Sequence, residues 1–90
     1  MSVYVDNAAI LYRGKLRYHL TADSFAELHQ FCAKIDVKRC WFHSSAKRHP
    51  HYDITDEQRT RAIEAGALPV DSRALMWKAL ELGKTRERSK

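Results

Sequence analysis

Residues 15 to 29, K-L-R-Y-H-L-T-A-D-S-F-A-E-L-H, change their hydrophobic period part-way along, and that change constrains the fold more than any other feature of the chain. Over residues 15 to 22 the pattern alternates, with Leu16, Tyr18 and Leu20 on one side and Arg17 and His19 on the other, as in a half-buried strand. From Phe25 onward the apolar residues are Phe25, Leu28, Phe31, Cys32 and Ile35, which share one face at helical spacing. Ser24 and Glu27 form an S-x-x-E capping box at the junction, a pairing in which each side chain satisfies an open backbone N–H of the first helical turn. A strand that runs straight into an amphipathic helix must lie in a sheet on which that helix packs.

The remaining segments interleave in the same way. Residues 2 to 7, S-V-Y-V-D-N, read as a short strand entering a turn, and Gly14 marks the turn into the alternating strand. K-R-C-W-F-H at 38 to 43 is short, aromatic and flanked by charge, which suits a third strand. A polar loop around Pro50 follows and is expected to become extended again over residues 51 to 54. Thr55 and Gln58 make a second capping box for a helix over 56 to 65, and Gly66 stops it as a residue able to take positive φ. A-L-P-V-D at 67 to 71 reads as the last strand. Asp71 or Ser72 caps a third helix, whose Leu75, Met76, Ala79, Leu80 and Leu82 form the buried stripe and which Gly83 ends. Ninety residues bury one core and not two. The expectation is a small single-domain α/β fold over residues 1–83, with a sheet of about four strands covered by three helices, and a basic, flexible tail over 84–90.

Charge narrows the partners less than it first suggests. Sixteen Lys and Arg against eleven Asp and Glu leave a formal charge of +5. The terminal G-K-T-R-E-R-S-K carries +3 of it, so the folded part keeps about +2, which is ordinary for a small domain. Cys32 and Cys40 stand in no C-x-x-C pair and propose no disulfide framework. No segment has the ~20 apolar residues of a membrane span, and the N-terminus lacks the basic flank and apolar run of a signal peptide. A cytoplasmic protein without membrane contact is expected, and nothing implies a cofactor.

The chemistry concentrates in K-R-H-P-H-Y-D-I-T, residues 47 to 55. In extended backbone His49, His51 and Asp53 share one side and would converge on an ion with His43 as a fourth ligand, yet the string lacks the His that follows the Asp in binuclear metallohydrolases, and no metal is expected. As a polar pair, His51 and Asp53 with His19 or His43 nearby would instead do acid–base work, with Arg39, Lys47, Arg48 or Arg59 facing a phosphate. Without chemistry, the basic residues among Trp41, Phe42 and Tyr52 suit phosphate contact and base stacking. The architectural alternative is that Asp53 only stabilises the N-terminus of the helix after it. Asp6, at the carboxyl end of the first strand, lies where open α/β sheets collect ligands.

V-Y-V-D-N, H-L-T-A-D-S-F-A-E-L-H-Q-F, R-C-W-F-H, H-Y-D-I-T, A-I-E-A-G-A-L-P-V and R-A-L-M-W-K-A-L, in that order over roughly residues 3 to 82, resemble the DUF4031 family of small bacterial and phage proteins. The family's function is unknown. The resemblance implies a context of nucleotide or nucleic-acid metabolism, because some actinobacterial proteins carry a similar domain before an HD-type phosphohydrolase domain, for which this chain has no room. It maps onto Asp6, His19, Asp23, His29, Arg39, His51, Tyr52, Asp53, Gly66 and Ala67 and transfers no catalytic role. The leading expectation is therefore a phosphate-directed domain that binds a nucleotide or nucleic acid through Asp6, Arg39, Trp41, His43, Arg48, His49 and Tyr52. The alternative is a metal-independent enzyme acting on a nucleotide or phosphodiester through His51, Asp53 and His19.

Overall fold

A computed structural model describes residues 2–43 and 49–85. Its spine is β3, Lys15–Ala22, flanked by β1 (Val3–Val5), β2 (Ile10–Tyr12) and β4 (Tyr52–Thr55), with β5 (Leu68–Pro69) added parallel to β1. Leu20 pairs with Val5 on one side and Tyr52 on the other, and Arg17 pairs likewise with Ile10 and Thr55. Hence β1 and β2 are two segments of one interrupted strand along the same edge of β3, and β4 occupies the opposite edge. The sheet is thus four strands wide, as the sequence suggests, although it contains five strands. Ile10–Tyr12 was not anticipated from the alternation. Arg13 and Gly14 take φ of 53° and 80°, the paired positive values of a two-residue hairpin turn, and this turn folds β2 directly onto β3.

Helix α1 (Phe25–Lys34) begins at Ser24, whose hydroxyl accepts from the Glu27 N–H at 3.1 Å. Only this half of the expected capping box forms, since Glu27 Oε1 is buried without a hydrogen-bond partner among the described residues. Helix α2 (Asp56–Glu64) has the complete box, with Thr55 N–H donating to Gln58 Oε1 and Gln58 N–H to Thr55 Oγ1. Gly66 takes φ 111° and lets the Ala67 N–H reach back to the Ala62 carbonyl, closing the helix as expected.

Three expectations are corrected. Residues 39–41 form a 3₁₀ turn and not a strand, and only Phe42 reaches a ladder position, opposite Tyr52. Strand propensity yields here to the route of the chain, which must turn from Asp36, at φ 66° after α1, to the outer edge of β4. Gly83 does not end α3, which runs Ser72–Thr85, so Lys84 and Thr85 belong to the helix; the rest of the expected tail lies outside the described residues. Met76 faces outward at 46 % exposure, whereas Leu75, Ala79 and Leu82 are buried.

The core fills one face of the sheet. Tyr18, Leu20 and Ala22 on β3, Tyr52 and Ile54 on β4, and Val3 and Val5 on β1 point to the same side and pack with Leu28, Cys32 and Ala62 of α1 and α2. The opposite face carries Tyr4, Thr21, His19 and Asp53, and α3 crosses it, with Lys78 over the Tyr4 ring at 5.0 Å. Among the described residues no helix is long and apolar enough to cross a membrane.

Candidate functional site

The face beneath α3 carries a row of alternating carboxylates and imidazoles. His19 on β3 and Asp53 on β4 are cross-strand partners, so their side chains stand on the same side. His51 precedes Asp53 by two residues and shares that side. On the other edge of β3, the chain between β1 and β2 leaves the ladder at residues 6–9, and Ala9 takes φ 50°. This interruption lets the Asp6 carboxylate fold onto β3, where it accepts from the His19 N–H at 2.9 Å, the His19 ring Nδ1 at 2.7 Å and the Ala8 N–H at 3.3 Å. The Arg59 Nε–H donates to the Asp6 carbonyl at 2.7 Å and fixes the same turn from α2. Interruptions of this kind re-aim a side chain without ending the sheet.

From Asp6 the row runs through His19, whose Nε2 lies 3.9 Å from Asp53 Oδ1, and on to His43, whose Nε2 meets Asp53 Oδ2 at 2.7 Å. His51 Nε2 approaches Asp53 Oδ1 at 3.4 Å, while its Nδ1 donates to the His49 carbonyl at 2.8 Å. The His51 ring stacks between those of His43 and His49 and meets His19 edge-on at 4.9 Å. Four of the chain's five histidines are therefore gathered here.

The charges in the row support one another. Burial pushes the Asp6 carboxyl up, but the His19 ring and backbone hydrogen bonds, the charge on His19 and the Ala8 N–H outweigh it and hold Asp6 below its ordinary 3.8. For His19 the hydrogen bond to Asp6 raises the pKa, burial opposes it, and the charges of Asp6 and Asp53 add to the rise, leaving it above 6.5. Asp53 is likewise pushed up by burial, then brought below 3.8 by the His51 hydrogen bond and the charges of His43, His51 and His19. The arrangement favours two carboxylates with a protonated His19 between them.

A cleft of about 480 Å³ opens above the row. Asp6, His19, His49 and His51 form its polar wall. Ile10, Leu75, Met76 and Ala79 form an apolar one, and Ser72 and Arg73 line it as well. Asp71 caps α3 there by accepting from the Ala74 N–H at 2.7 Å.

Comparison with protein families finds a match to a protein family of unknown function designated DUF4031, over residues 3–81 of the 90. The chain belongs to the DUF4031 family. Neither the curated proteins nor the solved structures contain a match to it.

In this DUF4031 chain the structure brings Asp6, His19, His43, His49, His51 and Asp53 into one cluster. It does not bring the other expected ligand residues there. Tyr52 points to the core face, 1 % exposed, with its hydroxyl on His29 Nδ1 at 2.8 Å and its ring against Phe42 and His29. Burial first, and the neighbouring Cys32 next, push its phenol up to about 12 against the pull of Arg39, so it carries no proton traffic near neutrality. Trp41 lies under the Arg17 guanidinium at 4.6 Å, and Arg39 lies over the Phe42 ring at 5.7 Å; neither lines the cleft. Arg48 and Lys47 fall outside the described residues. Asp53 turns to the histidines, and the cap of α2 is made by Thr55 and Gln58. Ser72 and Arg73 were missed: in the sequence they are a helix start, and only the crossing of α3 over the polar face turns that start toward the histidines.

Proposed function

We propose that this domain binds a small phosphate-bearing molecule, of nucleotide size, in the cleft between the histidine row and the first turn of α3. The observation that carries the reading is the convergence of Arg73, the start of α3 and His19 on one cavity. An anion gains from a guanidinium, from the positive end of a helix dipole and from an imidazolium whose charge Asp6 sustains. The apolar wall of Ile10, Leu75, Met76 and Ala79 suits a flat ring or sugar next to the phosphate. Tyr52 is buried and Trp41 is already under Arg17, so the support is for a compact ligand and not for an extended strand stacked on a row of aromatic residues. The thiols of Cys32 and Cys40 are both free, which fits a reducing, cytoplasmic setting.

A second reading, His-based catalysis on a nucleotide or phosphodiester, rests on the Asp6/His19 geometry. A carboxylate at 2.7 Å on Nδ1 fixes the tautomer and leaves Nε2 to exchange a proton at the cleft. Mass spectrometry of a mixed panel of nucleotides and short RNA after incubation tests both. Retention of an intact compound, weakened tenfold or more in Arg73→Ala, supports binding. Turnover that His19→Ala abolishes supports catalysis. Absence of both retention and turnover would remove the phosphate-directed reading.

A further inference from the structure

We infer that His19, His51 and Asp53 form a binding site for one divalent transition-metal ion, of the zinc or cobalt type, at the edge of the cleft. This inference goes beyond the phosphate-directed reading and does not depend on it. It also departs from the set the sequence suggested, because the strand pairing replaces His49 and His43 with His19.

One ligand atom from each of the three residues, taken together, lies within 4.8 Å of the other two. His51 Nε2 and His19 Nε2 stand 3.4 and 3.9 Å from Asp53 Oδ1. Two donors each ~2.0–2.1 Å from a tetrahedral zinc ion lie about 3.3 Å apart, so the His51–Asp53 pair already fits, while His19 must draw in by roughly 0.5–1.5 Å to close on an ion. The second observation concerns the opposite ring nitrogens. His51 Nδ1 is 2.8 Å from the His49 carbonyl, which can only accept, so this nitrogen carries the hydrogen, and Nε2 presents its lone pair to an ion once it gives up the proton that otherwise bonds Asp53. His19 Nδ1 is held in the same way by the Asp6 carboxylate at 2.7 Å. A carboxylate or carbonyl behind each imidazole is the arrangement that orients metal-binding histidines and raises their basicity. Asp53 is oriented too, because His43 takes its other oxygen at 2.7 Å and leaves Oδ1 facing the two rings.

Two lone pairs and a carboxylate oxygen facing one another repel unless a cation lies among them. A proton on His19 Nε2 relieves the repulsion by its charge when no ion is present, but at 3.9 Å it makes no hydrogen bond to Asp53. An ion bound by all three answers it fully. Two imidazoles and one carboxylate suit borderline ions such as Zn²⁺, Co²⁺, Ni²⁺ or Fe²⁺ over Mg²⁺ and Ca²⁺, which take mainly oxygen ligands. Three protein ligands leave at least one position for water or for an oxygen of whatever occupies the cleft. At full occupancy the site excludes the acid–base reading of His19 and also its imidazolium form in the phosphate-directed reading, because an ion on Nε2 takes the place of that proton and supplies the positive charge itself.

The test uses the full chain without a polyhistidine tag, freed of metal by chelator and dialysis, and titrated with Co²⁺ and Zn²⁺. The expected result is one ion per chain with a visible cobalt spectrum, no displacement by excess Mg²⁺, a loss of at least a hundredfold in affinity in His51→Ala and Asp53→Ala, and a tenfold to hundredfold loss in Asp6→Asn. Nitrogen-15 spectra of the wild-type imidazoles keep the inference testable if those variants do not fold. They should show Zn²⁺ shifting Nε2 of His19 and His51 while both Nδ1–H signals persist. No stoichiometric binding in the wild type, or shifts confined to His43 and His49, would overturn it, as would binding unchanged in folded Asp53→Ala.

Discussion

Strands β3 and β4 present two faces made from one backbone, and the faces do different work. On one, Tyr18, Leu20, Tyr52 and Ile54 are 8 % exposed or less and lie against the core under α1 and α2. On the other, one residue along in each strand, His19, Asp53 and His51 keep 26, 25 and 12 % of their side-chain surface and border a cleft under α3. Because the strand period is two, Y-D-I-T and R-Y-H-L specify both faces at once, and a slip of one residue would exchange them. Packing therefore holds the register, and the register holds the titratable groups. The core on the reverse side has already ordered their backbone, so fixing the three polar groups costs side-chain freedom and desolvation but no further backbone entropy.

The comparison breaks first on the core side. Leu20→Ala removes a fully buried side chain at the centre of β3 and should cost about 3 kcal/mol in a urea melt. Asp6 sharpens the contrast from within the polar face: it is 1 % exposed and holds three donors, so Asp6→Ala should cost roughly 2–3 kcal/mol and behave as a core substitution. Tyr52→Phe keeps the ring and loses only the bond to His29, for about 1 kcal/mol.

Those differences also explain what the sequence made legible. The α/β class, the two capping boxes as helix starts, the Gly66 stop and the alternation of β3 follow from local spacing, and all of them stand in the structure apart from the reciprocal half of the Ser24 box. The pairing of His51 with Asp53 was visible because the two stand two residues apart at the start of β4. The pairing of His19 with Asp53 needed the β3/β4 register, and Asp6 needed the interruption at residues 6–9, neither of which a single strand's pattern contains. Tyr52 misled for a related reason: an aromatic residue between a histidine and an aspartate suggests a shared site, yet strand alternation sends it to the other face. Nothing local distinguished R-C-W-F-H from a strand, since its conformation is imposed by the route from α1 to β4.

Smaller effects are expected at the exposed end of the row. His51→Ala and Asp53→Ala should each change stability by no more than about 1 kcal/mol while abolishing ligand retention, as thermal melts run beside a ligand titration would show. Melts lowered well beyond that, with retention intact, would make the row part of the architecture. The pH dependence is smaller still. His19, raised above 6.5 by Asp6 against burial, contributes stability that is complete below about pH 6.5 and fades as the pH rises through its folded value. Asp6 and Asp53, held below 3.8 by their partners against burial, contribute stability that is complete above the ordinary carboxylate range and fades as the pH falls through their lowered values. The urea midpoint should thus decline from pH 6 toward pH 9, and Asp6→Asn should flatten that decline.

The most direct measurement of whether the polar face is a site is amide and imidazole NMR of the folded chain titrated with a pool of inorganic phosphate and nucleoside mono- and diphosphates. Binding in the cleft predicts saturable shifts centred on His19, His51, Ser72 and Arg73, with the core residues Leu20 and Ile54 nearly still. Spectra unchanged at millimolar ligand, or shifts confined to the outer surfaces of α1 and α2, would contradict it.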